Sequence, residues 1–221
     1  MILKEFSRML DINLSANTST KAQVDELLKN AKKYDMKLVF APKCYLPYMV
    51  KSLEGTMTGV GGGAGSVLGT DPIEVCCFIA QWGLDHGAAE IDMVMNISYL
   101  KSGMDKEVVE HIAAVRQVTQ GHILKCIIET PLLDENEITR ATHLAIEGGV
   151  DFVKSASGTT GSTTLHDIEV MAKETRGRVG IKAAGGIRTL ETVEQMMQLG
   201  VTRFGIGYSS AMNLIQELEK I

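Results

Sequence analysis

Short apolar runs alternate with longer stretches of helical period along almost the whole chain. Leu10–Leu14, Lys37–Ala41, Thr56–Gly61, Glu90–Met95, Ile123–Glu129, Val150–Lys154, Val179–Ala183 and Arg203–Ile206 read as short strands. Between them, apolar positions recur every three or four residues, which predicts helices over Thr18–Tyr34, Met104–Gln120, Asp134–Glu147, Thr164–Thr175 and Thr189–Leu199. A short helix follows Pro42 and Pro47. Another runs from Asp71-Pro72 to His86-Gly87, with the proline at its favoured first position. A last one starts at Ser209 or Ser210. Asp134 is placed to cap its helix, and Gly121 and Gly148-Gly149 to end theirs. Gly61–Gly69 reads as a glycine-rich loop.

The segments HGAAEIDMV, GGVDFVKS and LGVTRFGIG each join a helix-ending glycine to a strand by a short link. Eight such strand–helix units, about one per 25–30 residues, predict a (β/α)8 TIM barrel. An open doubly wound sheet shares the alternation and is the other candidate. No linker or change of composition divides residues 1–221, so one domain is expected.

Four strands carry a charge where apolar residues are expected: Asp92 in IDMVM, Lys125 in ILKCII, Lys154 in DFVKS and Lys182 in VGIKAA. A single lysine at a strand end can be explained by a stem lying on apolar surface and a head in water. Four interruptions on successive strands point instead to one shared interior, because active groups of a barrel gather at the C-terminal strand ends. The chemistry that suits them is Schiff-base formation. Lys154 would be the amine kept unprotonated for attack on a carbonyl, with Lys182 as the crowding second cation. Asp92 and Lys125 would relay protons.

Glycines follow the last three strands: Gly158 after Lys154, Gly185-Gly186 with Arg188 after Lys182, and Gly207 with Ser209-Ser210 at the end. The last two loops open helices, where backbone N–H groups and the positive helix end can hold a phosphate.

Composition narrows the partners. The chain of 221 residues is 45% hydrophobic with 22 glycines, and its net charge of −5 argues against nucleic acid. No apolar run approaches a membrane span, and MILKEFSRML lacks a signal-peptide layout, so a cytoplasmic protein is expected. Cys44, Cys76, Cys77 and Cys126 lack paired spacing and read as reduced core residues. His86, His111, His122, His143 and His166 form no pair at metal-ligand spacing, so no metal is expected.

With LDINL, EIDMVMN, LKCIIET, DFVKSASG, GIKAAGGIRT and YSSA in order, the chain resembles the deoxyribose-phosphate aldolase family over nearly its full length. The resemblance implies a class I lyase on a TIM barrel, cleaving 2-deoxyribose 5-phosphate to acetaldehyde and glyceraldehyde 3-phosphate. It implies no cofactor beyond a covalent lysine Schiff base. Lys154 matches the Schiff-base lysine, Asp92 the relay aspartate, Lys182 the tuning lysine and Lys125 the strand-five lysine. Asp11, Asn13, Gly158, Gly185, Gly186, Arg188, Gly207, Ser209 and Ser210 are the expected substrate and phosphate positions. Phosphosugar and aldehyde are the expected partners, and a homodimer or higher homo-oligomer is common among such barrels.

The sequence departs from the family at three places. The opening Asp-His-Thr-Leu-Leu type stretch is Asp11-Ile12-Asn13-Leu14-Ser15, and the Gly-Phe-Pro or Asn-Phe-Pro of the third loop is Gly65-Ser66-Val67. The usual Thr-Ser-Thr-Gly after the lysine is Ser155-Ala156-Ser157-Gly158. A roomier, more polar donor pocket is expected, and with it an alternative: a related phosphosugar with a ketone or hydroxylated donor. A phosphosugar isomerase or thiazole-forming synthase needs no such aspartate with three lysines, and a non-catalytic sensor could dispense with Lys154.

Overall fold

A computed structural model describes residues 2–14 and 16–220. Ser15, one of the departures noted above, lies outside the described residues. Eight parallel strands close into a barrel in the order of the chain. They are β1 (Leu10–Asn13), β2 (Leu38–Phe40), β3 (Gly59–Ala64), β4 (Glu90–Val94), β5 (Ile123–Ile127), β6 (Phe152–Lys154), β7 (Gly180–Ala184) and β8 (Val201–Gly207). Strand β8 pairs with β1, Asp11 opposite Gly205, so the sheet is closed and the open doubly wound alternative is excluded.

The helices are α1 (Leu3–Met9), α2 (Lys21–Lys33), α3 (Leu46–Ser52), α4 (Ile73–Asp85), α5 (Ile97–Lys101), α6 (Asp105–Val118), α7 (Glu135–Glu147), α8 (Leu165–Thr175), α9 (Leu190–Gln198) and α10 (Tyr208–Leu218). Each long helix buries one stripe against the strands. In α2 that stripe is Val24, Leu27, Leu28 and Ala31. Thr20, Asp134, Thr164 and Thr189 cap α2, α7, α8 and α9 by accepting backbone N–H bonds. The hydrophobic core is the ring between strands and helices, with Ile12, Ile91, Met93, Leu124, Val153 and Phe204 among its fully buried members.

Several sequence-based boundaries shift. Strand β3 starts three residues later than expected and runs three residues further, taking Gly62 and Gly63 of the expected loop into the sheet. The reason is space. A Cβ on Gly61 would lie 2.2 Å from the Phe40 ring, and one on Gly62 would lie 2.8 Å from Ile91. Pro72 is the N-cap of α4, with extended backbone, and not its first helical residue. The left-handed turn after α7 falls on Gly149, at φ +87, while Gly148 stays helical. Helices α1 and α5, of seven and five residues, were not anticipated because they are too short to display a helical period. Cys44 is exposed in a 3₁₀ turn at Lys43–Tyr45, against the expectation of a core residue. Cys76 and Cys126 are buried.

Candidate active site

Barrel interiors are usually filled by layers of branched apolar side chains. Here alternate strand residues send charge inward: Asp11 from β1, Glu90 and Asp92 from β4, Lys125 from β5, Lys154 from β6, Lys182 from β7 and Arg203 from β8. None is more than 9% exposed. Parallel register puts Asp92 beside Lys125, Lys154 beside Lys182, and Lys182 beside Arg203.

Asp92 is the centre. Its Oδ1 accepts from Lys125 Nζ at 2.9 Å, and its Oδ2 accepts from Lys154 Nζ at 3.0 Å and Lys182 Nζ at 2.9 Å. Burial alone would raise its carboxyl. The ammonium groups of Lys125, Lys182 and Lys154 outweigh that and hold it well below the usual carboxylate range. A second tier lies beneath. Lys182 Nζ is 2.6 Å from Asp11 Oδ2, and Lys125 Nζ is 2.6 Å from Glu90 Oε2. Arg203 joins the two carboxylates, donating from Nε to Asp11 Oδ1 at 3.0 Å and from Nη1 to Glu90 Oε1 at 3.2 Å.

The two fully buried lysines differ. Burial pushes Lys182 down to about 8, and although Asp11 and Asp92 pull it back, Lys154 and Lys125 add to the depression. Burial also opposes the charge on Lys125, but Asp92, Asp11 and Glu90 together leave it raised. Lys182 is thus the easier of the two to deprotonate. The face of the Phe40 ring lies 5.1 Å from Lys182 Nζ and 5.9 Å from Lys125 Nζ and shields both from water. Gly205 leaves room for the stems, since a Cβ there would be 3.2 Å from Lys182 Cε.

Above the cluster opens a cavity of about 570 Å³, within the range of small-molecule sites. Asp92, Lys154 and Lys182 reach its lining, while Lys125 lies behind Asp92 and does not. Of the expected substrate positions, Asp11, Asn13, Gly158, Gly185, Gly186, Arg188, Gly207 and Ser210 border it. Ser209 is exposed and outside the lining. Asp11 is 1% exposed and held in the ion cluster by Arg203 and Lys182. Arg188 is exposed at the rim.

The glycines of the rim are needed for their conformation. Gly185 and Gly186 have φ of +97 and +76, and a Cβ on Gly186 would lie 2.2 Å from Ser162 Oγ. Helix α10 starts at Gly207 with no side-chain cap, so its first amides are free at the cavity edge. Ser155 is a buried lock between β6 and β7: its hydroxyl donates to Ala184 O and accepts from Ala184 N and from Thr163 Oγ1.

Five residues of this region were not singled out from the sequence. Glu90 and Arg203 begin or nearly begin their strands, where a charge ordinarily faces water. Phe40 is one apolar residue among several in its expected strand. Lys43 lines the cavity wall and donates to Gly65 O at 2.5 Å, and partial desolvation there lowers its pKa. Glu129 sits in the left-handed region at φ +53, and its carboxylate accepts from Ser157 N and Thr160 Oγ1, pinning the loop after Lys154. The one available signal was the doublet pattern Glu90-x-Asp92 and Arg203-x-Gly205, which places both residues of each pair on one strand face.

A closed barrel with buried lysines converging on one carboxylate under an open cavity has the layout of an enzyme that works on carbonyl compounds. The family model for DeoC/LacD family aldolases matches residues 69–217. Deoxyribose-phosphate aldolase 1 of Staphylococcus aureus (strain MSSA476) is 36% identical over 216 residues, 97% of each chain. Deoxyribose-phosphate aldolase of Geobacillus sp. (strain WCH70) is 37% identical over 212 residues, 95% of this chain and 94% of that one. Among solved structures, the aldolase QR15 superposes with a TM-score of 0.90 at 28% identity, covering 97% of this chain and 96% of that one. The chain belongs to the DeoC/LacD aldolase family and is a lyase. Among the described residues, no helix is long and apolar enough to cross a membrane.

Proposed function

We propose that the protein is a class I aldolase that cleaves 2-deoxy-D-ribose 5-phosphate to acetaldehyde and D-glyceraldehyde 3-phosphate, through a Schiff base on Lys154. The observation that carries the reading is the pairing of Lys154 with Lys182 on one oxygen of Asp92, directly under the cavity. Lys154 is the most exposed lysine of the cluster, at 8%, against 0% for Lys125 and Lys182. It is therefore the amine a substrate carbonyl can reach.

The neutral Nζ of Lys154 attacks C1 of the open-chain sugar, forming a carbon–nitrogen bond. A proton delivered through Asp92 and its lysines lets the C1 oxygen leave as water, giving an iminium. A base of the same relay takes the proton of the C3 hydroxyl. The C2–C3 bond breaks, its electron pair moves to the iminium as an enamine, and C3 becomes the aldehyde of glyceraldehyde 3-phosphate. Protonation of the enamine at C2 and attack by water release acetaldehyde and return the lysine. The iminium is the electron sink, so the chain's own residues suffice. The phosphate is held by the amides of Gly185-Gly186 and of the uncapped start of α10, with Arg188 at the rim and Ser210 close by.

Asn13 and Ser66 both border the cavity, and this favours a second reading, a hydroxylated donor in place of acetaldehyde. Borohydride reduction with acetaldehyde or deoxyribose 5-phosphate, followed by peptide mass mapping, tests the main proposal. An adduct on Lys154 is expected. No adduct with any carbonyl compound, or one on another lysine only, overturns it. Comparing acetaldehyde, acetone, glycolaldehyde and dihydroxyacetone as donors separates the two readings.

A further inference from the structure

We propose that Arg203, acting through Asp11 and Glu90, is a positioning residue that sets how many protons the lysine cluster carries at working pH. The inference rests on the Lys154 reading above and extends it to the tier below. Arg203 borders no part of the cavity, nor does Glu90. Each carboxylate that Arg203 binds has a lysine on its other side: Asp11 on Lys182, Glu90 on Lys125. The guanidinium spans both, its Nη2 donating to Asp11 Oδ1 and, at 3.1 Å, to Glu90 Oε2. Its far face rests on the Phe152 ring, with the guanidinium carbon 5.8 Å from the ring centre.

The charges of this cluster do not balance. The cations are Lys125, Lys154, Lys182 and Arg203, and the anions are Asp11, Glu90 and Asp92, so one positive charge is in excess. Net charge in a poorly hydrated interior is penalised. Arginine does not give up its proton. The excess must therefore be relieved at a lysine, and a free amine is what imine chemistry requires.

The groups facing Lys182 account for this one by one. Asp11 faces it from β1, the Phe40 ring from β2, Asp92 from β4, Lys125 from β5, Lys154 from β6 and Arg203 from the neighbouring β8 position. Burial is the first cause of the depression of Lys182 to about 8, and Lys154 and Lys125 add to it. Because these groups titrate together, the first proton lost belongs to the cluster as a whole.

Two substitutions, at residues that touch each other, should act with opposite sign. Arg203→Met leaves three cations against three anions, and the lysines hold their protons to higher pH. The acid limb of kcat/KM for deoxyribose 5-phosphate cleavage then moves up by about one pH unit. Glu90→Gln leaves four cations against two anions, and the limb moves down by about the same amount. Arg203→Lys keeps the charge but loses the fork, so its limb stays at the wild-type position while kcat falls. A purely structural clamp lowers activity in every variant without moving the limbs in opposite directions.

The pH profiles of the wild type and the three variants are measured on the full chain, with borohydride trapping by acetaldehyde run in parallel. Opposite shifts for Arg203→Met and Glu90→Gln support the proposal; unmoved limbs, or shifts of the same sign, overturn it. If Arg203→Met does not fold, the downward shift of Glu90→Gln and the unmoved limb of Arg203→Lys decide. A normal Lys154 adduct with unmoved limbs removes the charge-setting role alone. No Lys154 adduct in the wild type removes the Schiff-base reading and this inference with it.

Discussion

Beneath the cavity, Lys125, Lys182, Arg203, Asp11 and Glu90 are at most 6% exposed, and each meets a partner of opposite charge. At the rim, Gly158, Gly186 and Gly207 offer backbone, and Arg188 offers an exposed guanidinium. The lower region rests on charges fixed by strand register, where moving one side chain disturbs all the others. The rim rests on backbone conformations that a loop can supply independently. The lower region should therefore govern the chemical steps and their pH dependence, and the rim should govern affinity.

Substitutions in the two regions test this division. The largest effect is expected for Lys154→Met, which removes the nucleophile: kcat falls by about 10⁴-fold or more, and the trapped adduct disappears. Asp92→Asn follows, because it removes the charge that holds three lysines and the relay they form. Steady-state assays should show kcat lower by about 10²–10⁴-fold with KM little changed. A large KM effect without loss of kcat would contradict the division.

At the rim the pattern should invert. Gly186→Ala introduces a Cβ into Ser162 and forces alanine to φ +76. The expected result is a KM for the phosphosugar raised about 10-fold, with kcat within about twofold of wild type. The smallest effect is expected at Glu129→Gln. That change keeps the shape but weakens the bonds to Ser157 N and Thr160 Oγ1 that order the loop after Lys154. A few-fold rise in KM is expected, checked by saturation kinetics.

The same two regions were unequally legible in the sequence. Asp92, Lys125, Lys154 and Lys182 stood out because each breaks an apolar run, and strand alternation alone places them on the inside of the barrel. The rim glycines stood out through turn chemistry. Glu90 and Arg203 did not, because a charge at the beginning of a strand ordinarily faces solvent, and only closure of the barrel turns these two inward. Glycine is a poor strand former, so Gly62 and Gly63 pointed to a loop; the Phe40 ring against Gly61 and the Ile91 side chain against Gly62 are contacts between strands. Similarly, nothing local marks Glu129 as left-handed, since its partners lie 28 and 31 residues further on.

The central claim is that a buried cluster with one surplus positive charge frees an amine under the cavity. Its most direct test is the rate of acetaldehyde trapping by borohydride as a function of pH, with the adduct located by peptide mapping. The account predicts modification of Lys154, at a rate that rises through pH about 8, where Lys182 is poised to lose its proton. Modification of other lysines only, or a rate that rises only near the ordinary lysine value of 10.5, would contradict it.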